Sequence, residues 1–284
     1  MALFSDILLT ADFDRTLTAP DSTVPQRNIE AIRYFIDNGG AFTVNTGRSV
    51  PMTKVFRDVV PVNAPLLLYN GSAAYDLEKK AFIFCHLIDL NMEEVLRRTI
   101  RDYPDMTVEI QGFDAHNIFQ DNPDWVEFSV KNSCAWRIAE LGQDIGPFIK
   151  MSVYGKIREP NVSHLFSGTP EEIARVDEVE AALRETYQGK MQVIRVAPRI
   201  IDFQAPGVSK GTAARELLKK LGRKILVCVG DERNDLTMMD EADYSYCPAD
   251  GAIADRYETV CPCAEGAVAD VIYKKIPEIL EIRP

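Results

Sequence analysis

Asp12 and Asp14 stand two residues apart, directly after the apolar run Ile7-Leu8-Leu9-Thr10-Ala11. Two carboxylates at the end of a strand can divide labour: one attacks an electrophile or binds a metal, while the other, turned by the loop, exchanges a proton. Asp231 and Asp235, in Gly230-Asp231-Glu232-Arg233-Asn234-Asp235, follow a second apolar run, Ile225 to Val229. Acidic clusters of this kind repel one another unless a cation neutralises them, and ligands that are all oxygen favour Mg²⁺ over a thiolate-seeking metal. Thr46, in Thr46-Gly47-Arg48, offers a hydroxyl, and Lys210, in Ser209-Lys210-Gly211, offers an ammonium. Such donors suit a group whose charge is spread over several oxygens, as a phosphoryl group's is. The helix dipole disfavours a cation at a helix start, which argues that Lys210 is there for chemistry. Taken singly, a D-x-D pair in an acidic chain reads as a solvated turn and Thr46-Gly47 as an ordinary strand-to-helix turn. Their position after buried runs gives them weight, because ligands of open parallel sheets bind beyond the carboxyl ends of the strands.

The elements that must hold these residues follow from the periodicity. Continuous apolar runs at Ile7 to Ala11, Ala41 to Asn45, Leu66 to Tyr69 and Ile225 to Val229 predict parallel strands buried on both faces, with weaker strands near Tyr244 to Cys247 and Thr259 to Cys261. Ile29, Ile32, Phe35 and Ile36 recur at helical spacing over Pro25 to Asn38, with Ser22 and Thr23 as capping candidates and Gly39-Gly40 as the stop. A helical stretch is expected before Leu66 and another over Gly211 to Leu221. Strands alternating with helices predict an α/β fold with a Rossmann-like parallel sheet. Between about Ala81 and Val196 the pattern changes to strand-like runs (Phe82 to Ile88, Thr107 to Ile110, Phe148 to Tyr154, Met191 to Val196) and two helices (Asn91 to Tyr103, Pro170 to Tyr187). Residues 1–80 and 197–284 therefore read as one interrupted catalytic core, and 81–196 as an inserted α+β cap domain.

Composition narrows the partners. The chain has 284 residues, 46% of them hydrophobic and 26% charged, and a formal net charge of −11, so its average field repels nucleic acid and anionic membrane surfaces. No apolar run reaches the ~20 residues needed to cross a bilayer. Met1-Ala2-Leu3-Phe4-Ser5-Asp6 has no basic leader region, and the six Cys are scattered without the dense spacing of a disulfide scaffold, which suits a reducing cytoplasm. Cys261-Pro262-Cys263 lacks metal or redox spacing and reads as packing thiols.

In order, the four segments resemble the signature motifs of the haloacid dehalogenase superfamily: D-x-D-x-T in Asp12, Asp14 and Thr16, a second-strand Thr in Thr46, the Lys in Lys210, and G-D-x-x-N-D in Gly230, Asp231, Asn234 and Asp235. T-G-R, the Asn70-Gly71 pair and G-V-S-K-G resemble the Cof-type hydrolases in particular. The short stretch between Thr16 and Thr46 has no room for a cap, whereas the long stretch from Ser72 to Lys210 matches the large α/β cap of that group. Two departures stand out: Arg15 replaces the usual Gly, a position where an ordinary residue is expected to keep ordinary backbone angles, and Glu232 replaces the usual Asn, either as a water-mediated metal contact or as a solvent-facing side chain.

The resemblance implies a Mg²⁺-dependent phosphatase of small phosphate monoesters, whether sugar phosphates, nucleotides or phosphorylated cofactors, working through an aspartyl-phosphate. It makes Asp12 the nucleophile and Asp14 the acid and base. Asp12, Asp14, Asp231 and Asp235 are implied around the metal, and Thr46 and Lys210 on phosphate oxygens. Thr16, Gly47, Arg48, Asn70 and Asn234 are implied substrate or phosphate neighbours, Arg48 and Asn70 with loop-tying as the other reading. A phosphomutase of the phosphomannomutase-like type and a non-catalytic sugar-phosphate or metal-binding protein are the alternatives. Substrate identity and oligomeric state are not encoded in any motif.

Overall fold

The computed structural model describes residues 3–120, 134–155 and 168–282, and Met1-Ala2 of the leader reading lies outside them. The chain divides into two compact units, one of Met1–Gly47, Phe56–Phe84 and Ser209–Pro284, the other of Arg48–Val55 and Cys85–Val208.

The first unit is built on a five-stranded parallel sheet, in the order Glu258–Val260, Tyr244–Pro248, Ile225–Val229, Ile7–Ala11, Ala41–Val44. Ile7–Ala11 is buried along its whole length, as an interior strand covered on both faces must be. Its register pairs Ala11 with Val44 on one side and Val229 on the other, so the three strands end level. The ladder continues one step further: Asp12 N donates to Val229 O at 2.9 Å and Asn45 N to Ala11 O at 2.9 Å. The sheet thus delivers three polar segments to one edge before any side chain is considered.

Leu66–Leu68 departs from expectation. A single parallel bridge links Leu67 to Asn45, but the strand pairs antiparallel with Ala73–Asp76 in a separate three-stranded sheet that also contains Ala81–Cys85. The cause is the turn Tyr69–Gly71, where Asn70 has φ 54° and Gly71 φ 96°, which reverses the chain at once instead of leading into a helix. The helix Gln26–Asp37 forms as predicted, yet neither Ser22 nor Thr23 caps it; Pro25 takes the N-cap position, and Thr23 instead donates to Asp21. Between Asn45 and Leu66 the helical element is the 3-10 turn Pro51–Val55.

The second unit carries a six-stranded sheet, ordered Gln192–Ala197, Ile200–Gln204, Lys150–Gly155, Met106–Gln111, His116–Phe119, Trp136–Ile138. Helices Met92–Asp102 and Pro170–Thr186 cover one face. Met106, Val108, Ile110, Met151, Val153, Ile201 and Phe203 point there and join Val95, Leu96, Val176, Val179 and Leu183 in one core. The alternate positions are mostly polar, with Thr107, Glu109, Gln111, Lys150, Ser152, Asp202 and Gln204 beside Tyr154 and Ile200. An edge drawn at 196 cuts a hairpin, because Gln192–Ala197 pairs antiparallel with Ile200–Gln204, which in turn pairs with Lys150–Gly155. The second unit therefore runs to Val208. Among the described residues no helix is long and apolar enough to cross a membrane.

In the first unit the helix Lys210–Lys220 starts from a reciprocal Ser209/Thr212 capping box, with Ser209 Oγ accepting from Thr212 N at 3.1 Å. It lies so close to the helix Leu236–Glu241 that a Cβ on Gly211 would stand 2.1 Å from Thr237 O. Backbone cannot yield there as a side chain can. Gly211→Ala is expected to lower unfolding stability by about 1–3 kcal/mol, the usual cost of overpacking; an unchanged denaturant midpoint would show that the two helices are not held at this distance.

Candidate active site

Lys210 leads from its helix into the edge where the strands end. Its Nζ donates to Asp12 Oδ1 at 2.6 Å and to Asp235 Oδ1 at 2.7 Å, with Lys210 1% and Asp235 0% exposed. Asn45, at the end of its strand, holds the start of that helix: its Nδ2 donates to Lys210 O at 2.9 Å. Asp235 is itself fixed by its own turn, Oδ2 accepting from Asp231 N at 3.0 Å and Glu232 N at 3.1 Å. Gly230 makes this turn fit, since a Cβ there would be 2.7 Å from that of Asp235.

Asp12, Asp231 and Asp235 each bring a carboxylate oxygen to within 4.8 Å of the others, and all three are buried. Burial pushes the Asp12 carboxyl well above the usual range, Lys210 opposes this, and Asp235, Asp231 and Asp14 push it higher still. Asp231 is pushed up to about 7, by burial first and then by Asp235, against the hydrogen bond from Thr16. Burial disfavours the charged Lys210, yet Asp12 and Asp235 outweigh it and hold the ammonium form. Among the described residues no ammonium or guanidinium pairs with Asp231, and Thr16 Oγ1, at 2.7 Å from its Oδ1, is its hydrogen-bond donor. A buried carboxylate without a counter-charge, beside two more, fits a divalent cation held by oxygen ligands.

The expected residues fall as follows. Asp12, Lys210, Asp231 and Asp235 form the connected cluster just described. Asp14 is exposed, with φ −74° and ψ 123° breaking the helical turn Phe13–Leu17, and its charge is felt at Asp12. Thr46 is 2% exposed; its N donates to Leu67 O at 2.9 Å and its O accepts from Asn70 N at 3.1 Å. Asn70 also packs against Gly47, where a Cβ would meet its Oδ1 at 2.7 Å, so Asn70 braces the Thr46-Gly47 turn. Asn234 is half-buried in the turn Arg233–Asp235. Arg48 falls in the second unit.

Thr16, expected beside phosphate, donates its hydroxyl to Asp231 Oδ1 and so orients that carboxylate. Asp235, expected around the metal, brings a carboxylate oxygen to within 4.8 Å of those of Asp12 and Asp231, and its two oxygens accept from Lys210 Nζ and from backbone N–H groups. One reading changes. Arg15 does not keep ordinary angles: it adopts φ 60° and ψ 9°, the left-handed conformation the usual Gly would take, and its N donates to Thr18 Oγ1 at 3.0 Å. Glu232 is exposed and caps its own turn by accepting from Arg233 N, which favours the solvent-facing reading. The motif reading missed Asn45 and the loop whose Ile253 N donates to Asp231 O at 3.3 Å. A polar residue ending an apolar strand was the available signal for Asn45; the loop had none.

The sequence profile of haloacid dehalogenase-like hydrolases matches residues 9–254. The 5-amino-6-(5-phospho-D-ribitylamino)uracil phosphatase of Bacillus subtilis is 22% identical over 83% of this chain and 80% of its own. A haloacid dehalogenase-like hydrolase from Bacteroides thetaiotaomicron superposes with a TM-score of 0.77 at 20% identity, covering 94% of this chain and 98% of that one. A sugar phosphatase of HAD subclass IIB superposes with a TM-score of 0.75 at 16% identity, over 95% and 99%. At these identities the superpositions establish a shared fold.

The electrostatics predict how a cation should act on stability. Asp231 has a folded pKa above its unfolded one, so its contribution is fully present below the ordinary carboxylate range and is lost as pH rises through about 7. In EDTA the protein should therefore melt lower at pH 8 than at pH 5. Added Mg²⁺, at about 100 times its Kd, contributes ~2.7 kcal/mol and should raise the melting temperature by about 5 °C, more at pH 8 than at pH 5. An increment that is absent, or equal at both pH values, would remove the cation from this cluster.

Proposed function

The chain belongs to the haloacid dehalogenase-like hydrolases, and from that premise we propose that it is a Mg²⁺-dependent phosphatase of small phosphate monoesters that works through a phosphorylated Asp12. The observation that carries this reading is the buried bridge from Lys210 Nζ to Asp12 and Asp235, set beside the unpaired Asp231. It leaves Asp12 held at the end of a rigid strand with one oxygen oriented by an ammonium, which is what an in-line nucleophile requires.

Asp12 and Asp231, with the backbone carbonyl of Asp14, would hold Mg²⁺; when bound, the ion neutralises charge on the phosphoryl oxygens and on the crowded carboxylates. A carboxylate oxygen of Asp12 attacks phosphorus, the bond from phosphorus to the ester oxygen breaks, and Asp14 gives its proton to the departing alcohol. A water then attacks the phosphorus of the aspartyl-phosphate, Asp14 takes its proton, and inorganic phosphate leaves with Asp12 regenerated. Lys210 and the Thr46 hydroxyl bind phosphoryl oxygens through both steps. Thr16 and Asp235 act by orienting Asp231 and Lys210. The names of the relatives, a ribitylaminouracil phosphate phosphatase and a sugar phosphatase, support a phosphorylated small metabolite as substrate.

Asp12→Asn keeps the shape but cannot form the acyl-phosphate, so phosphate release should drop to well under about a hundredth of wild type with the melting curve retained. A rate above that would exclude the covalent route.

EDTA should abolish turnover, Mg²⁺ should restore it, and Ca²⁺ should not, because the larger ion takes more oxygen ligands and can engage both oxygens of Asp12. Full turnover in metal-free buffer would refute the dependence.

Asp14→Asn should slow phosphorylation severely for alkyl phosphates, whose alkoxides leave badly, and less for an aryl phosphate with an acidic phenol. With the aryl ester, a burst of phenol followed by slow turnover is expected; equal losses for both esters would assign Asp14 to metal binding or structure.

A further inference from the structure

Arg15 stands between Asp14 and Thr16, in the turn that follows Asp12, and every residue of this turn belongs to the first unit. Its left-handed backbone, φ 60° and ψ 9°, costs a residue with a side chain about 1–2 kcal/mol that glycine does not pay. The turn enforces it from both sides. Asp12 N donates to Val229 O at 2.9 Å and Thr18 N to Phe13 O at 3.0 Å, while Arg15 N donates to Thr18 Oγ1 at 3.0 Å and Thr16 Oγ1 to Asp231 Oδ1 at 2.7 Å. A strained residue held this firmly next to a reactive cluster points to a use for its side chain.

Arg15 is exposed, and among the described residues its guanidinium makes no hydrogen bond and no ion pair. Its charge is felt at Asp250 and Cys263, in the loops that follow the strands Tyr244–Pro248 and Glu258–Val260. Asp250 has both oxygens on Cys263, Oδ1 accepting from N at 2.9 Å and Oδ2 from Sγ at 3.2 Å, so it attracts the cation without pairing with it. That loop rests on the acidic cluster: a Cβ on Gly251 would stand 3.1 Å from Asp231 Cβ, and Ile253 N donates to Asp231 O at 3.3 Å. The guanidinium thus lies at the same strand ends as the carboxylates, on the side of Asp231, with its N–H fork open to solvent.

In the proposed reaction Lys210, the Thr46 hydroxyl and the metal serve the phosphoryl group, and Asp14 serves the departing oxygen. An arm that starts from the residue after Asp14 is placed for what lies beyond that oxygen. The planar fork matches the paired oxygens of a phosphate or a carboxylate, and in a chain of net charge −11 it reverses the local sign for a second anion.

We propose that Arg15 selects substrates by charge, binding a second anionic group, phosphate or carboxylate, on the leaving part of the phosphate monoester. The proposal rests on the phosphatase reading and narrows it to doubly anionic esters.

The test is competitive inhibition of p-nitrophenyl phosphate turnover, at constant free Mg²⁺, by phosphonates whose P–C bond resists hydrolysis. Methylphosphonate carries one anionic group, phosphonoacetate adds a carboxylate, and methylenediphosphonate adds a second phosphonate. Wild type should bind a doubly anionic probe about tenfold more tightly than methylphosphonate, the effect of one exposed charged contact. Arg15→Gly and Arg15→Asn, which suit the left-handed turn, should bring that ratio to about one and melt no lower than wild type. Arg15→Lys should keep part of it, since an ammonium retains the charge and loses the fork. A gain confined to methylenediphosphonate assigns the second group as phosphate, and one confined to phosphonoacetate as carboxylate. A wild-type ratio of about one overturns the proposal. So does a ratio that survives Arg15→Gly, whether or not all the probes weaken together, because Arg15 then acts on the reacting phosphate or on the turn alone. A wild-type protein that neither turns over p-nitrophenyl phosphate nor binds methylphosphonate overturns the phosphatase reading, and with it the substrate Arg15 is assigned to select.

Discussion

Lys210 places a positive charge between Asp12 and Asp235 where water does not reach, and much of the first unit is arranged to keep it there. Asn45 and Ser209 hold the first turn of its helix, Gly211 lets that helix approach its neighbour, and Asp235 is fixed by the N–H groups of its own turn. A buried ion pair of this kind is weak evidence for stability, since desolvation cancels most of the attraction. Removing either partner is another matter, because it leaves an uncompensated charge inside the protein. The network is thus better understood as a way of fixing Asp12 than as a way of holding the fold together.

The two sheets solve opposite problems. In the first unit the three central strands are buried through their length, and at their carboxyl ends the level register of Ala11, Val44 and Val229 collects polar residues distant in sequence. The second unit's sheet is apolar on one face and polar on the other, with Lys150 Nζ donating to Asp202 Oδ2 at 2.8 Å and Ser152 Oγ to Asp202 Oδ1 at 2.7 Å. A sheet covered by helices on one side needs half its positions for packing and leaves the alternate half available for other uses.

Much of the buried carboxylate and lysine cluster could be read before the structure, because Asp12 and Asp231 follow apolar runs long enough to be strands and Lys210 stands against the preference of a helix start. What could not be read depends on partners rather than on period. Three apolar residues, Leu66–Leu68, do not say which sheet they will join; the turn after them does. Thr16 looks the same in sequence whether its hydroxyl meets a phosphate or a carboxylate. Arg15 shows that a non-glycine residue can adopt the left-handed conformation when the surrounding turn requires it. Ser49, whose Oγ lies 2.7 Å from His116 Nε2, and Glu109, paired with the same imidazole, carry no motif at all, and these buried polar contacts appear only once the strands are in register.

The interrupted first unit has a consequence for how the protein is made. Ile7–Ala11 finds one neighbour, Ala41–Val44, soon after it emerges, but its other neighbour is Ile225–Val229, near the far end of the chain. The six strands of the second unit's sheet lie between Met106 and Gln204, so that sheet can close while the first still has an open strand edge. An unpaired edge of this kind is the surface on which nascent chains join one another. Ribosomal pace through residues 85–208, and the presence of a holding chaperone during that interval, should therefore govern soluble yield more than the stability of the finished protein does.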